Sequence, residues 1–480
     1  MRRVGAVLAP AVFLLFLILP LEGLSPPAHR LAAVLVAVVV LWVTEALPLP
    51  VTALLGASAC VLLEVAPARD VFAPFADPLM FLFIGAFILA RAIFIHGLDR
   101  RVAYAVLSLP WVAAGPSRIL LAFGAVTALI SGWISNTATT AMMFGIGLSI
   151  LAAMRGSQSG SIDPRYPTAL MLMTSFAASI GGLATPVGTP PNVIGIGFIR
   201  SQLGLDISFL KWMLIGVPAV LLLFGILYAF LNASAPAGTV KPSTGAASIL
   251  RERELLGPWT RGQRSVAIAF AVTVALWVIP GVVAVAAGEG SPAYRALTQR
   301  LPEGVAALLG AMLLFVLPGD EGRAISWKDA VQIDWGVVLL YGGGFALGVL
   351  SFQTGLAEAL GRGLTGLLPI KGSFGLLTAS VIAAVVLSET TSNTASANMI
   401  VPVVIAIARA AGLDPFEPAL GATLAASLGF MLPVSTPCNA IVYGSGLIPL
   451  GRMIRYGLVL DLAGILVILT LVRVLGPLLR

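Results

Sequence analysis

Apolar runs of a dozen or more residues recur through this chain, separated by short polar turns. The runs at 31–43, 79–90, 218–230 and 266–278 carry no charged residue. Runs of this kind read as membrane helices, because a helix needs about 20 apolar residues to cross a hydrocarbon core of roughly 30 Å. The pattern predicts spans at 31–47, 51–66, 78–96, 168–199 and 211–231. It predicts five more at 264–286, 303–317, 335–352, 418–445 and 453–475, with 168–199 and 418–445 interrupted. The amino-terminal segment 1–30 holds an apolar run at 4–20 but no convincing small-residue cleavage site before Glu22, so it reads as a further, first span.

Polar residues inside the apolar stretches repeat. Ser135-Asn136-Thr137 and Ser392-Asn393-Thr394 stand 257 residues apart, each between two apolar arms. The arms read as 118–130 and 138–153, then 374–387 and 395–410. A 13-residue helix covers about 20 Å, so each arm is expected to reach mid-membrane and turn back. This gives hairpins at about 104–153 and 372–410. Other segments match in the same order: VTALLGA (51–57) with VAALLGA (305–311), Gly97-Leu98 with Gly355-Leu356, and TPVGTPPN (185–192) with LPVSTPCN (432–439).

The chain therefore reads as an all-α polytopic membrane protein with about 11 spans and two re-entrant hairpins. An amino-terminal span (1–30) precedes a first repeat (31–231), a cytoplasmic linker (232–263) and a second repeat (264–480). Five spans per half is an odd number, so the halves are expected to insert with opposite orientation, an arrangement common in secondary transporters. The Ala/Gly/Ser/Pro tract at 233–247 reads as flexible.

Composition agrees with the membrane class: 480 residues, 59% hydrophobic, only 10% charged, mean hydropathy +1.02. The net charge of +7 falls in loops with no basic run interleaved with aromatics, which argues against nucleic acid. Lys241, Arg251, Arg253, Arg261 and Arg264 put the linker, and with it the amino terminus, in the cytoplasm. Two cysteines, Cys60 and Cys438, make no disulfide framework, and two histidines, His29 and His96, make no metal cluster. No Ser-His, HExxH or paired-Asp constellation appears, so an enzyme is not expected and no cofactor is implied.

The chemistry of the two turns follows from their residues. Ser, Asn and Thr are good helix N-caps, so each tripeptide opens the second arm of its hairpin and aims that arm's positive end at mid-membrane. Such an end favours an anion. The proline-rich segments at 185–192 and 432–439 break helices and free carbonyls, which can coordinate Na⁺. Ser131 and Ser388 stand four residues before Ser135 and Ser392, while Thr189 and Thr436 add hydroxyls. Glu45 and Glu389 are expected to serve in ion pairing or helix-end solvation, with a proton relay as the alternative, Asp461 to pair internally, and Arg91 and His96 to snorkel at a helix end.

These motifs, with WVTEALPLPVTALL at 42–55, resemble the divalent anion:sodium symporter family over nearly the whole chain. The resemblance implies a homodimer in the cell inner membrane. Each protomer would hold a scaffold domain (about 1–100 and 264–355) and a transport domain (about 104–231 and 372–480) that moves like an elevator. It implies one Na⁺ site at Ser131, Ser135, Asn136 and the Gly188 backbone. A second would use Ser388, Ser392, Asn393 and the Ser435 backbone. Substrate would meet Ser135, Asn136, Thr137, Ser392, Asn393 and Thr394, with Thr189, Thr436 and Pro437 nearby. The implied function is Na⁺-coupled symport of succinate, malate or fumarate, with sodium-independent exchange or transport of sulfate or tricarboxylates as alternatives. A channel is the other class to separate. The sequence departs from the family pattern at Ser388, Ser435 and Cys438.

Overall fold

The computed structural model describes residues 2–112, 115–155, 163–235, 243–367 and 372–480. Helices account for most of them. The first group is α1 (Arg2–Ile18), α2 (Pro26–Thr44), α3 (Leu49–Leu62), α4 (Ala68–Phe72), α5 (Pro78–Ile95) and α6 (Leu98–Leu107). Next come α7 (Pro116–Ser131), α8 (Asn136–Arg155), α9 (Tyr166–Gly181), α10 (Pro190–Leu203), α11 (Phe209–Ser234) and α12 (Ser243–Leu255). The chain continues through α13 (Arg261–Ala287), α14 (Pro292–Arg300), α15 (Glu303–Val316), α16 (Trp327–Ala330), α17 (Trp335–Gln353) and α18 (Leu356–Leu367). It ends with α19 (Gly372–Thr390), α20 (Asn393–Ala410), α21 (Phe416–Ala425), α22 (Pro437–Tyr443) and α23 (Leu450–Leu475).

Helix starts follow local chemistry. Asp77 caps α5 by accepting from Leu79 N at 2.8 Å, and Thr260 with Gln263 forms a capping box on α13. Small residues then let helices approach closely. A Cβ on Gly85 of α5 would stand 2.5 Å from the Ala307 backbone of α15, and one on Gly304 2.3 Å from the Pro78 carbonyl. In lipid, where apolar surface is not driven together by water, such close packing is a main source of helix association.

All ten predicted spans after the first match helices or interrupted helix pairs. The interruptions fall between α9 and α10 and between α21 and α22. Among the described residues nine helices are long and apolar enough to cross a membrane. A tenth is counted if α14 and α15, bent by 56°, act together. The expectation was about 11 spans.

The arm-length argument is corrected. The arms α7, α8, α19 and α20 have 16, 20, 19 and 18 residues. At 1.5 Å per residue the last three reach about 27–30 Å. Length alone therefore does not make them re-entrant, and three of the nine candidate crossing helices are these arms. The helices α7 and α19 begin at Pro116 and Gly372, two residues before the arms read from the sequence.

The tract 233–247 is also corrected in part. Its first residues belong to α11, residues 236–242 lie outside the described set, and α12 begins at Ser243. The Arg101 guanidinium, which donates to the Leu256, Gly257 and Pro258 carbonyls, and the Arg253–Ser108 bond pin this segment to α6. The amphipathic helices α6 and α18 start at Leu98 and Leu356, the matched Gly-Leu positions, and were not assigned from the sequence. They are too short to cross and too mixed to read as spans.

Candidate functional site

The two Ser-Asn-Thr turns meet. Residues 135–137 and 392–394 line one cavity of about 870 Å³ together with Gly188, Thr189, Ser435, Thr436, Pro437 and Cys438. α7 and α19 lead into the turns, α8 and α20 leave them, and α10 and α22 start at the cavity wall. Its walls also take residues from α3, α5 and α17, among them Pro50, Phe87 and Val337. The cavity runs out to the surface residues Arg2 and Glu45, which pair at 3.8 Å, and to Arg91, Gln332 and Asp334. Ser131 and Ser388 are fully buried behind the turns rather than on the wall.

Each turn opens a helix as its composition requires. Ser392 caps α20, accepting from Ala395 N at 3.2 Å. Ser135 is 3.5 Å from Ala138 N at the start of α8. The backbone N–H groups of both helix starts thus border the cavity, giving it a positive lining with no basic side chain at the turns.

The breaks beside the turns are braced by the same bonds. Asn192 Nδ2 donates to the Gly182 and Thr185 carbonyls at 2.9 and 2.8 Å. Asn439 Nδ2 donates to the Gly429 and Leu432 carbonyls, both at 2.9 Å. Carbonyls left over where α9 and α21 end would be costly to bury unpaired, and one asparagine satisfies two of them. Thr436 caps α22 through Asn439 N, and Thr189 starts α10 without a side-chain cap bond.

Residues 2–480 match the family described as the sodium:sulfate symporter transmembrane region. The chain belongs to that family. A Staphylococcus saprophyticus protein named sodium-dependent dicarboxylate transporter SdcS is 34% identical over 99% of this chain and 92% of its own. The protein of the same name from Staphylococcus aureus strain USA300 is 32% identical, over 99% and 91%. Among solved structures, the YdaH transporter of Alcanivorax borkumensis has a similar fold. Its TM-score is 0.56 at 15% identity, covering 95% of this chain and 99% of that one.

At the first turn of this family member, oxygens crowd together. The Asn136 amide oxygen faces Ser131 Oγ and the Gly188 and Ala178 carbonyls. Turning the amide instead lets its nitrogen donate to those three atoms at 2.7, 3.2 and 3.1 Å. In that orientation the amide nitrogen satisfies the acceptors that surround it. At the second turn Ser388 Oγ lies 2.8 Å from both Asn393 Oδ1 and the Ala426 carbonyl, and Asn393 Nδ2 is 3.4 Å from the Ser427 carbonyl.

The remaining charged residues were only partly anticipated. Glu389 is 3% exposed and makes no ion pair among the described residues; it accepts from Met431 N at 2.7 Å, Leu432 N at 3.1 Å and Ser435 Oγ at 2.7 Å. Asp461 makes no ion pair among the described residues; it lies beside Glu389, and both its oxygens are buried without a donor within hydrogen-bond distance. Arg91 and His96 do not simply snorkel. Arg91 bonds Gln332 at 2.5 Å, and His96 bonds the Ala324 carbonyl at 2.7 Å and lies 3.5 Å from Asp320. A matched-motif reading could not find the Glu389–Asp461 neighbourhood, since neither residue has an acidic counterpart in the first half.

Proposed function

We propose that this protein is a secondary transporter that carries a small dicarboxylate into the cell together with Na⁺. The single observation that carries the reading is the shared cavity: two Ser-Asn-Thr turns, from segments 257 residues apart, face one space. The substrate would be a four-carbon dianion such as succinate, malate or fumarate, as the names of the Staphylococcus relatives suggest. One carboxylate would meet the start of α8 through Ser135, Asn136 and Thr137. The other would meet the start of α20 through Ser392, Asn393 and Thr394, with Thr189, Thr436 and Pro437 alongside.

In this reading Na⁺ occupies the oxygen ring of Ser131, Ser135, Asn136 and the Gly188 carbonyl, and a second Na⁺ takes Ser388, Ser392, Asn393 and the Ser435 backbone. The turns carry no formal positive charge, so a dianion alone would be poorly held. The cations supply the charge and fix the turns, so ions and anion bind cooperatively. The two halves act as an inverted repeat, and the matched asparagine braces support that pairing. The hairpins are re-entrant, with tips held in the protein interior where irregular backbone is tolerated.

The protein works as a homodimer in the cytoplasmic (inner) membrane with a cytoplasmic amino terminus. Segments 104–231 and 372–480 slide as a transport domain against a scaffold of 1–100 and 264–355. The Arg2 and Glu45 mouth then faces the cytoplasm. Arg200 of α10, which donates to both Asp77 oxygens at 2.7 Å beside Tyr341, closes the opposite end.

Uptake of labelled succinate into proteoliposomes tests the reading. Uptake is expected with an inward Na⁺ gradient and lost when choline replaces Na⁺; equal uptake in choline overturns symport and favours exchange. The family description favours a second reading, sulfate as substrate. Excess sulfate that suppresses succinate uptake as strongly as unlabelled succinate does would establish it.

A further inference from the structure

The last helix brings a second carboxyl group to the second turn. Gly457 of α23 packs so closely on the break after α21 that a Cβ there would lie 2.4 Å from the Phe430 carbonyl. Asp461 stands one turn further on the same face and lies against the Glu389 carboxylate and the Phe430 backbone. Asp461 is 2% exposed and Glu389 3%.

No basic side chain neutralises this pair. Among the described residues, neither carboxylate takes part in an ion pair. The other charged groups on the helices packed around α23 are engaged elsewhere: Glu417 of α21 with Arg473, and Lys211 of α11 with Glu289. Glu389 is partly compensated by Met431 N–H, Leu432 N–H and the Ser435 hydroxyl. Among the described residues, no donor stands within hydrogen-bond distance of either Asp461 oxygen. Two adjacent carboxylates in a dry interior do not both stay charged unless a proton or a cation neutralises one of them.

The fold itself does not require these acids. At the equivalent contact in the first half, a Cβ on Gly216 of α11 would lie 2.4 Å from the Leu183 carbonyl beside the other break. There Val220 stands where α23 has Asp461, and Gly132 follows Ser131 where Glu389 follows Ser388. Glycine and valine therefore suffice to build the same packing.

We propose that Asp461 and Glu389 form a further Na⁺ site, buried behind the second turn and separate from the oxygen sets of Asn136 and Asn393. Up to four carboxylate oxygens are available there, the hard ligands an alkali cation takes. Through Ser435, which Glu389 holds from both its carboxylate and its carbonyl, cation binding at this site orders the start of α22 at the cavity wall. The inference rests on the reading of the protein as Na⁺-coupled, and the measurements below separate the two.

The number of Na⁺ ions moved per succinate is measured from reversal potentials in proteoliposomes for the wild-type protein and for Asp461→Asn. The variant is expected to move one Na⁺ fewer, with a half-saturating Na⁺ concentration raised about tenfold. Asp461→Val, which copies the first half, is expected to behave alike. An unchanged ratio and Na⁺ dependence in a folded variant overturns this site alone, whereas wild-type uptake independent of Na⁺ overturns the earlier reading. Should neither variant fold, infrared difference spectra of the wild-type protein decide. Na⁺-induced shifts of carboxylate bands support the site, and a protonated carboxyl band that persists at saturating Na⁺ overturns it.

Discussion

Single residues in this protein divide into those that hold the backbone break and those that face the cavity. Asn192 and Asn439 belong to the first kind, each bonding two carbonyls from full burial. Replacing Asn192 by Leu leaves both carbonyls without a partner, so a loss of about 2–4 kcal/mol is expected, read as a lowered melting temperature in detergent. Asn136→Ala removes a cavity-facing amide instead; succinate uptake should fall at least tenfold, with the melting temperature moving far less than for Asn192→Leu. Away from the site, burial pushes the Asp99 carboxyl in the short helix α6 up to about 6, although the Arg100 N–H opposes the shift. A raised carboxyl pKa means a stabilising contribution that is complete below about 4 and lost as pH rises through 6. Asp99→Asn should therefore raise the melting temperature at pH 7.5, by at most about 3 kcal/mol in stability, with the gain vanishing near pH 4. A gain equal at both pH values would refute that account. The cavity-facing residues were legible because their chemistry is written twice in the chain. Asp99 and Asp461 were not, since burial of a lone acid depends on what packs over it.

Helices set the geometry that these residues exploit. The broken pairs α9–α10 and α21–α22 were legible from closely spaced prolines in apolar sequence, because each removes a helical hydrogen bond; single prolines such as Pro218, Pro280 and Pro402 stay inside continuous helices. The arms were misjudged: their lengths came from punctuation, while helix ends are set by packing. Close approach at the break gives a sharp test. A Cβ on Gly182 would stand 2.5 Å from the Asn136 amide. Gly182→Ala should displace that amide and raise the half-saturating Na⁺ concentration about tenfold; unaltered Na⁺ dependence would detach Asn136 from cation binding. The Asp77–Arg200 contact joins α5 to α10 at the other end. Asp77→Asn should weaken closure there by about 1–2 kcal/mol, a factor of roughly 5–30 in population. Labelling of a cysteine placed at Ser201 by an impermeant thiol reagent would rise accordingly, and labelling equal to the parent would show that the ion pair closes nothing.

At the scale of the whole molecule, ions and anion should stabilise one another. Succinate at 100 times its dissociation constant contributes about 2.7 kcal/mol to stability. The thermal shift from succinate should appear with Na⁺ present and shrink sharply in choline, and equal shifts in both salts would contradict cooperative binding. The sequence alone determined the membrane class, the order of the spans, the two breaks and the doubled tripeptide. These depend on local apolarity and on backbone chemistry that each residue carries with it. Only the tertiary structure decided that Asn136 and Asn393 share a cavity, that Ser131 and Ser388 sit behind it, and that Asp461 reaches Glu389. Those contacts join positions separated by tens to hundreds of residues, and helix packing, which no local pattern encodes, sets which faces meet.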